Sequence, residues 1–192
     1  MINKIHIDAI MNDEAILEEI IKDIKNGRVF IYPTDTIYGI GCNALNIESV
    51  ERIKKIKERD EDKPLSVIAP STLWIEENLN MSDEDKKMIE KCLPGAFTIL
   101  LKKKENDFFN HVSKNERLGV RIPKCRFFEI IEKAGVPFIT TSVNISGEPF
   151  ALNLNDIKEN IIHDVDYVIE TQEKLSGVPS TIICDGKEIK RN

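Results

Sequence analysis

Apolar positions at Ile16, Leu17, Ile20, Ile21 and Ile24 recur with a helical period, which predicts a helix over Asp13 to Asn26 with Gly27 as its stop. The next apolar stretch, Val29 to Tyr32, is short and unbroken and reads as a buried strand. Asn46 can cap a second helix that carries Ile47, Val50, Ile53 and Ile56 on one face, with lysines around the rest. Leu65 to Ala69 is a strand, Ser71 to Asn78 a helix, and Ser82 caps an acid-led helix ending at Cys92. Strands follow at Phe97 to Leu101, Leu118 to Ile122 and Pro137 to Thr141, with a helix at Phe127 to Ala134 stopped by Gly135. A helix over Asn155 to Ile161 and strands at Tyr167 to Glu170 and Thr181 to Cys184 complete the chain. Strands and helices interleave throughout, so the expected architecture is α/β: a sheet with helices packed on its faces. No linker or repeat divides residues 1–192, which points to a single domain.

Composition adds limits. The chain has 192 residues, 41% of them hydrophobic, enough for a substantial core. The net charge of -6 argues against a basic coat over the whole surface, but not against a local basic pocket. Four cysteines, Cys42, Cys92, Cys125 and Cys184, show no CxxC spacing and read as reduced thiols rather than a zinc site. The three histidines lie far apart in sequence, so no side-chain metal site is assigned. The first residues lack a signal-peptide core and no apolar run reaches the ~20 residues of a membrane span, so a cytoplasmic location is expected.

The unusual chemistry lies next to the strands. Tyr32 leads into Pro33-Thr34-Asp35-Thr36, then Gly39 and Gly41. Hydroxyls, a carboxylate and a flexible backbone after a strand suit a ligand as well as a turn. Gly39 to Ala44 formally matches GxGxxA, but a polar insert separates strand from glycine, which speaks against a dinucleotide fold; no GxxxxGK[ST] occurs. Lys57, Arg59 and Lys63 cluster at a helix end, where cations also suit the helix dipole. Thr140-Thr141-Ser142-Val143-Asn144 follows a strand and offers neutral donors for phosphate or ribose. Arg121 sits in an apolar strand and needs an anionic partner. Several strand ends thus carry hydroxyls and cations, as a polyanionic substrate would require.

Taken in order, PTDTIYGIG, the KxR of Lys57 and Arg59 with KPL, LPGAFTILL, GVRIP, TSVNISGEP and GVPSTII resemble the YrdC-like threonylcarbamoyl-AMP synthases. The likeness runs from about Gly27 to the C-terminus. It implies a YrdC-like twisted mixed sheet flanked by helices, with a large basic cavity. It also implies synthesis of threonylcarbamoyl-AMP and pyrophosphate from ATP, L-threonine and bicarbonate with Mg2+, the first step of tRNA threonylcarbamoyladenosine modification. A transferase complex would take the product. By motif, Lys57, Arg59, Ser142 and Asn144 would be catalytic, and with Lys63 would hold the ATP phosphates. Thr36, Arg121, Thr140 and Ser180 would bind threonine, Arg121 through its carboxylate. Arg117, Phe150 and Arg191 fall near ATP-contacting positions. Asp60, Ala96 and Val143 depart from the family pattern, and the chain length leaves no room for the extra C-terminal domain of longer members.

Two other readings share these residues. One is a double-stranded RNA-binding module that uses the same basic concavity, or a direct contact with tRNA. The other is a carbamoyl-adenylate-forming domain like that in hydrogenase-maturation enzymes, whose zinc-finger cysteines are absent here. The acidic balance and the threonine-type residues weigh towards the synthase.

Overall fold

The computed structural model describes residues 2–105, 107 and 109–189. The elements run β1 (Asn3–His6), α1 (Ile7–Asn12), α2 (Glu14–Lys25), β2 (Phe30–Tyr32), β3 (Gly39–Gly41), α3 (Ile47–Ile56) and β4 (Ser66–Ile68). There follow α4 (Thr72–Asn78), β5 (Leu79–Asn80), α5 (Asp83–Cys92), β6 (Phe97–Lys103), β7 (Arg117–Arg121), α6 (Arg126–Ala134) and β8 (Phe138–Ser142). A 3-10 turn (Leu154–Asp156), α7 (Glu159–His163), β9 (Tyr167–Glu170), β10 (Thr181–Cys184) and β11 (Lys187–Ile189) close the order. The strands form one mixed sheet in the order β1-β9-β2-β3-β8-β4-β7-β6-β10-β11, with β5 paired to β6.

Local chemistry sets the helix limits. The Asp13 carboxylate accepts from the Ala15 and Ile16 amides, and Asn46 accepts from Ser49. Ser82 and Asp85 form a reciprocal capping box on α5. Gly135, at φ 68, closes α6 in the left-handed conformation. The helix expected over Asn155 to Ile161 is instead a 3-10 turn and a separate α7, with Ile157 extended between them. The Asp156 carboxylate accepts from the Leu152 and Asn153 amides at 3.2 and 2.9 Å, and this local bonding competes with helix propagation.

The two faces of the sheet are covered differently. Ile31, Ile40, Val67, Ile99, Leu118, Val120 and Ile139 point to one face and bury α3, α4 and α5 through Val50, Ile53, Ile75 and Ile89. Phe30, Tyr32, Ile68 and Phe138 point to the other and bury α1, α2 and α6 through Ile10, Ile20, Ile24, Phe127 and Ile130. Tyr32 stacks on Phe127 at 4.4 Å between centroids. Those helices cover only part of their face. Along β8 the face changes from Phe138 to Thr140 and Ser142, and along β4 from Ile68 to Ser66.

Gly39 and Gly41, read from sequence as flexible backbone, form a strand. A Cβ at Gly41 would lie 2.0 Å from the Ile139 carbonyl oxygen, and one at Gly39 2.9 Å from the Tyr32 ring. They allow close approach of backbone and ring rather than motion. β1 and β11 also escaped the pattern, because as exposed edge strands they show no alternation of buried and exposed positions.

Candidate functional site

The uncovered part of the second face is a hollow of about 370 Å3. Strand periodicity builds it, because residues two apart point the same way. β7 contributes Arg117, Gly119 and Arg121; β6 contributes Thr98 and Leu100; β8 contributes Thr140 and Ser142. Thr140, Ser66, Gly119 and Leu100 are register partners across four strands and form one row of the floor. A Cβ at Gly119 would sit 2.4 Å from the Ser66 hydroxyl, so glycine keeps that floor low. The loop after β2 adds Thr34 and Thr36, and the segment before β10 adds Pro179 and Ser180. Backbone bonds tie these two segments together, from the Gly177 amide to the Thr36 carbonyl at 2.9 Å and from Ser176 to Asp35 at 3.4 Å.

The hollow therefore lies across a sheet face and not at strand ends alone, as the sequence had suggested. Arg59, Arg117 and Arg121 line it with no acidic side chain among the described lining residues, despite the negative net charge.

Arg121 is 5% exposed. Its Nη2 donates to the Asp35 carboxylate at 2.5 Å, while the other Asp35 oxygen accepts from the Lys124 amide at 3.0 Å. The buried cation thus has a protein anion as its partner. Among the described residues Nη1 reaches the Thr36 hydroxyl at 3.5 Å, and Nε, shielded from solvent, has no hydrogen-bond partner. Nη1 thus keeps donor capacity for an anion in the hollow, since a guanidinium carries five N–H donors.

Hydroxyls complete the surroundings. Thr34 and Thr36 are joined at 2.8 Å, and Thr34 also accepts from the Thr36 and Ile37 amides. Thr98 and Ser180 are joined at 2.8 Å. The Thr140 hydroxyl accepts from Tyr32 at 2.8 Å, and burial drives the Tyr32 phenol well above its ordinary value.

The phosphate-clamp candidates divide. Arg59 lines the hollow; its guanidinium donates to the Lys63 and Pro64 carbonyls at 3.3 and 2.7 Å, which folds the intervening loop around it. Burial pulls its pKa down, with Asp60 opposing, yet a guanidinium stays charged. Lys57 is set behind the wall and is 1% exposed. Its ammonium donates to the Ser142 carbonyl, to the Asn144 carbonyl at 2.8 Å and to the Asn144 side-chain oxygen at 3.1 Å. Burial, then the neighbouring Arg59, lowers its pKa to about 7. The Ser142 hydroxyl lines the hollow and donates to the Asn144 Oδ1 at 2.6 Å. Lys57 therefore ties the end of α3 to the loop that presents Ser142.

Of the residues predicted from sequence, Thr36, Arg59, Arg117, Arg121, Thr140, Ser142 and Ser180 share the hollow. Asn144 is engaged within its own loop, and its amide donates to the Glu148 carbonyl at 2.6 Å. Lys63 and Phe150 are exposed and do not line the hollow, and Arg191 lies outside the described residues. Thr34, from the segment noted after the first strand, also lines it, as do Ser66, Thr98 and Asn115, which were not singled out by sequence. The signal for Thr98 is a polar residue at the same parity as Leu100 in the otherwise apolar stretch Phe97 to Leu101. Among the described residues no cluster of three or more His, Cys, Asp or Glu could hold a metal, and no helix is long and apolar enough to cross a membrane.

Comparison with known proteins places this geometry. The Sua5/yciO/yrdC family model, described as "Telomere recombination", matches residues 22–191. A Methanocaldococcus jannaschii relative named "Putative threonylcarbamoyl-AMP synthase" is 39% identical over 176 residues, covering 90% of this chain and 83% of the relative. A Pyrococcus abyssi threonylcarbamoyl-AMP synthase is 31% identical over 162 residues, covering 83% of this chain and 48% of the relative. The crystal structure of P. abyssi Sua5 complexed with L-threonine superposes with a TM-score of 0.81 at 26% identity, over 96% of this chain and 54% of that one. This chain thus spans about half the length of the Pyrococcus protein.

Proposed function

The chain belongs to the Sua5/YciO/YrdC family, and from that premise we propose that it is a threonylcarbamoyl-AMP synthase working in this hollow. The observation that carries the reading is a hollow lined by Arg59, Arg117, Arg121 and several hydroxyls, with no acidic side chain among its described lining residues. The Arg121 guanidinium takes the threonine carboxylate. A family member of known structure binds L-threonine, which supports the choice of amino acid. Thr36, Thr140 and Ser180 surround the amino acid, and Arg59 and Ser142 hold the triphosphate. Lys57 positions Ser142 and Asn144 and does not itself touch phosphate.

The chemistry follows from these placements. The neutral threonine amine attacks CO2, releasing a proton to solvent, or bicarbonate, with loss of water, and gives a carbamate. A carbamate oxygen attacks the α-phosphate, and pyrophosphate leaves. Negative charge grows on phosphate oxygens, where fixed guanidinium groups stabilise it without reorganisation. A carbamate is already anionic, so this step needs no side-chain base. Mg2+ enters as the magnesium complex of ATP: the site offers hydroxyls and carbonyls rather than a carboxylate cage, and phosphates would supply its main ligands. The product is passed to a transferase that modifies tRNA, in the cytoplasm.

The test is pyrophosphate release in a mixture of ATP, L-threonine, bicarbonate and Mg2+. Release must stop when any one of the four is omitted. Release that ignores threonine, or salt-sensitive RNA binding with no turnover, would overturn the proposal.

A further inference from the structure

Arg117 and Arg121 stand on the same face of β7, four residues and roughly 13 Å apart. Arg121 is held by Asp35, whose side chain is 13% exposed. Arg117 is held too, by a partner that no motif contains. Its Nη2 donates to both carboxylate oxygens of Asp185, at 2.9 and 3.1 Å, and its Nη1 donates to the Leu100 carbonyl at 3.1 Å. The Glu116 carboxylate stays at 3.9 Å from Nε.

Asp185 is fixed in place. It opens the two-residue turn between β10 and β11, where Cys184 pairs with Lys187. Asp185 and Gly186 have φ of 49 and 71, both positive, as the tight hairpin turn with matching twist requires. Gly186 packs on α5: a Cβ there would lie 2.3 Å from Glu84 Oε1. The hairpin geometry thus sets the carboxylate beside the Arg117 guanidinium. The Asp185 side chain is 66% exposed, and an ion pair so open to water adds little stability. Its consequence is orientation, since a long guanidinium at the mouth would otherwise swing into solvent.

We propose that Asp185 is a positioning residue that aims Arg117 at the nucleotide phosphates. This rests on the synthase reading, and it extends that reading to a residue outside every recognised motif. Two arginines on one strand then mark the two ends of the substrate pair: Arg121 the amino-acid carboxylate, Arg117 the polyphosphate.

The test compares wild type, Asp185→Asn, Arg117→Ala and the double variant, using pyrophosphate-release kinetics and calorimetric titration with ATP. Asp185→Asn should raise the ATP KM three- to tenfold, leave kcat and the threonine KM within twofold, and leave the melting temperature nearly unchanged. The double variant should be no worse than Arg117→Ala alone, because both remove one function. Asp185→Glu should recover part of the loss. Unchanged ATP KM in Asp185→Asn, or additive losses in the double variant, would overturn the proposal while wild-type turnover keeps the synthase reading intact. If wild type binds ATP without forming pyrophosphate, the synthase reading falls and the ATP dissociation constants decide the role of Asp185 by the same criteria. If wild type binds no ATP, both fall.

Discussion

Replacing Lys57 with Met removes one charge and keeps most of the side-chain volume. The ammonium serves three acceptors, two of them backbone carbonyls, in a place only 1% open to solvent. Ser142 and Asn144 are themselves half-buried, so water can reach part of this loop once the donor is gone. Leaving one acceptor without a donor costs about 1–3 kcal/mol, and that range is the expected loss of stability at pH 7. The pH dependence is the sharper test. In the unfolded chain the amine holds its proton to about 10.5, but in the folded protein only to about 7. Between these values the unfolded state binds more protons, so this group makes stability rise with pH. From pH 7 to 8.5 the stability of wild type relative to Lys57→Met should grow by about 1.5 kcal/mol. Urea unfolding at pH 7.0, 7.5, 8.0 and 8.5 measures both numbers. Taking the difference between the two proteins cancels the contribution of every other titrating group. Parallel profiles would show an amine that stays charged throughout, held by its three acceptors, and would refute the argument from burial. Catalysis should fall as well, at least tenfold in kcat/KM, because the loop carrying Ser142 loses its tie; that corresponds to about 1.4 kcal/mol.

Three further outcomes are expected. Arg59→Ala should lower kcat/KM for ATP at least tenfold, about 1.4 kcal/mol of transition-state stabilisation, and unchanged kinetics in a folded variant would remove Arg59 from the phosphate site. Arg121→Lys keeps a cation beside Asp35 but loses the planar guanidinium, so the threonine KM should rise tenfold or more with a near-normal melting temperature. Arg121→Ala should in addition destabilise by about 3–5 kcal/mol, since it leaves the largely buried Asp35 carboxylate without its cation; equal threonine binding by all three proteins would contradict the carboxylate assignment. Gly41→Ala pushes a methyl group against the Ile139 carbonyl and the Phe138 ring, and should cost about 1–3 kcal/mol in chemical denaturation.

How much of this could be read from the chain depends on where each residue's information lies. The helices with an apolar stripe and a side-chain cap, α2, α3 and α5, were legible because both signals are local. The exposed strands β1 and β11 were not, since neither of their faces is buried enough to alternate. The break at Ile157 depends on the Asp156 carboxylate bonding backward, which competes with a helical period that the sequence does contain. Lys57 shows the limit for site residues. Its spacing from Arg59 identifies the motif, but one ends behind the wall and the other in it. Which way a side chain points at a helix end is decided by the loop that packs against it, here Ser142 to Asn144. Asp185 carried only a turn signal, because its partner lies 68 residues away.

The location of the hollow has a simple cause in the sheet. Both faces of β4 and β8 begin as core: Val67 and Ile139 face one set of helices, Ile68 and Phe138 the other. Residues of the second parity then turn polar, from Phe138 to Thr140 and from Ile68 to Ser66, where α1, α2 and α6 no longer reach. A sheet face left bare would expose apolar rows and invite association. Here it carries hydroxyls, a glycine floor at Gly119 and three arginines, so it tolerates water when empty and attracts anions. The same strands keep the opposite parity apolar, with Leu118 and Val120 alternating with Arg117, Gly119 and Arg121. The site is thus anchored by the core it shares strands with: moving Arg121 out of line would require moving Val120 out of a packed layer. That coupling is what allows an acidic protein to hold a fixed cationic surface without a rigid shell of its own.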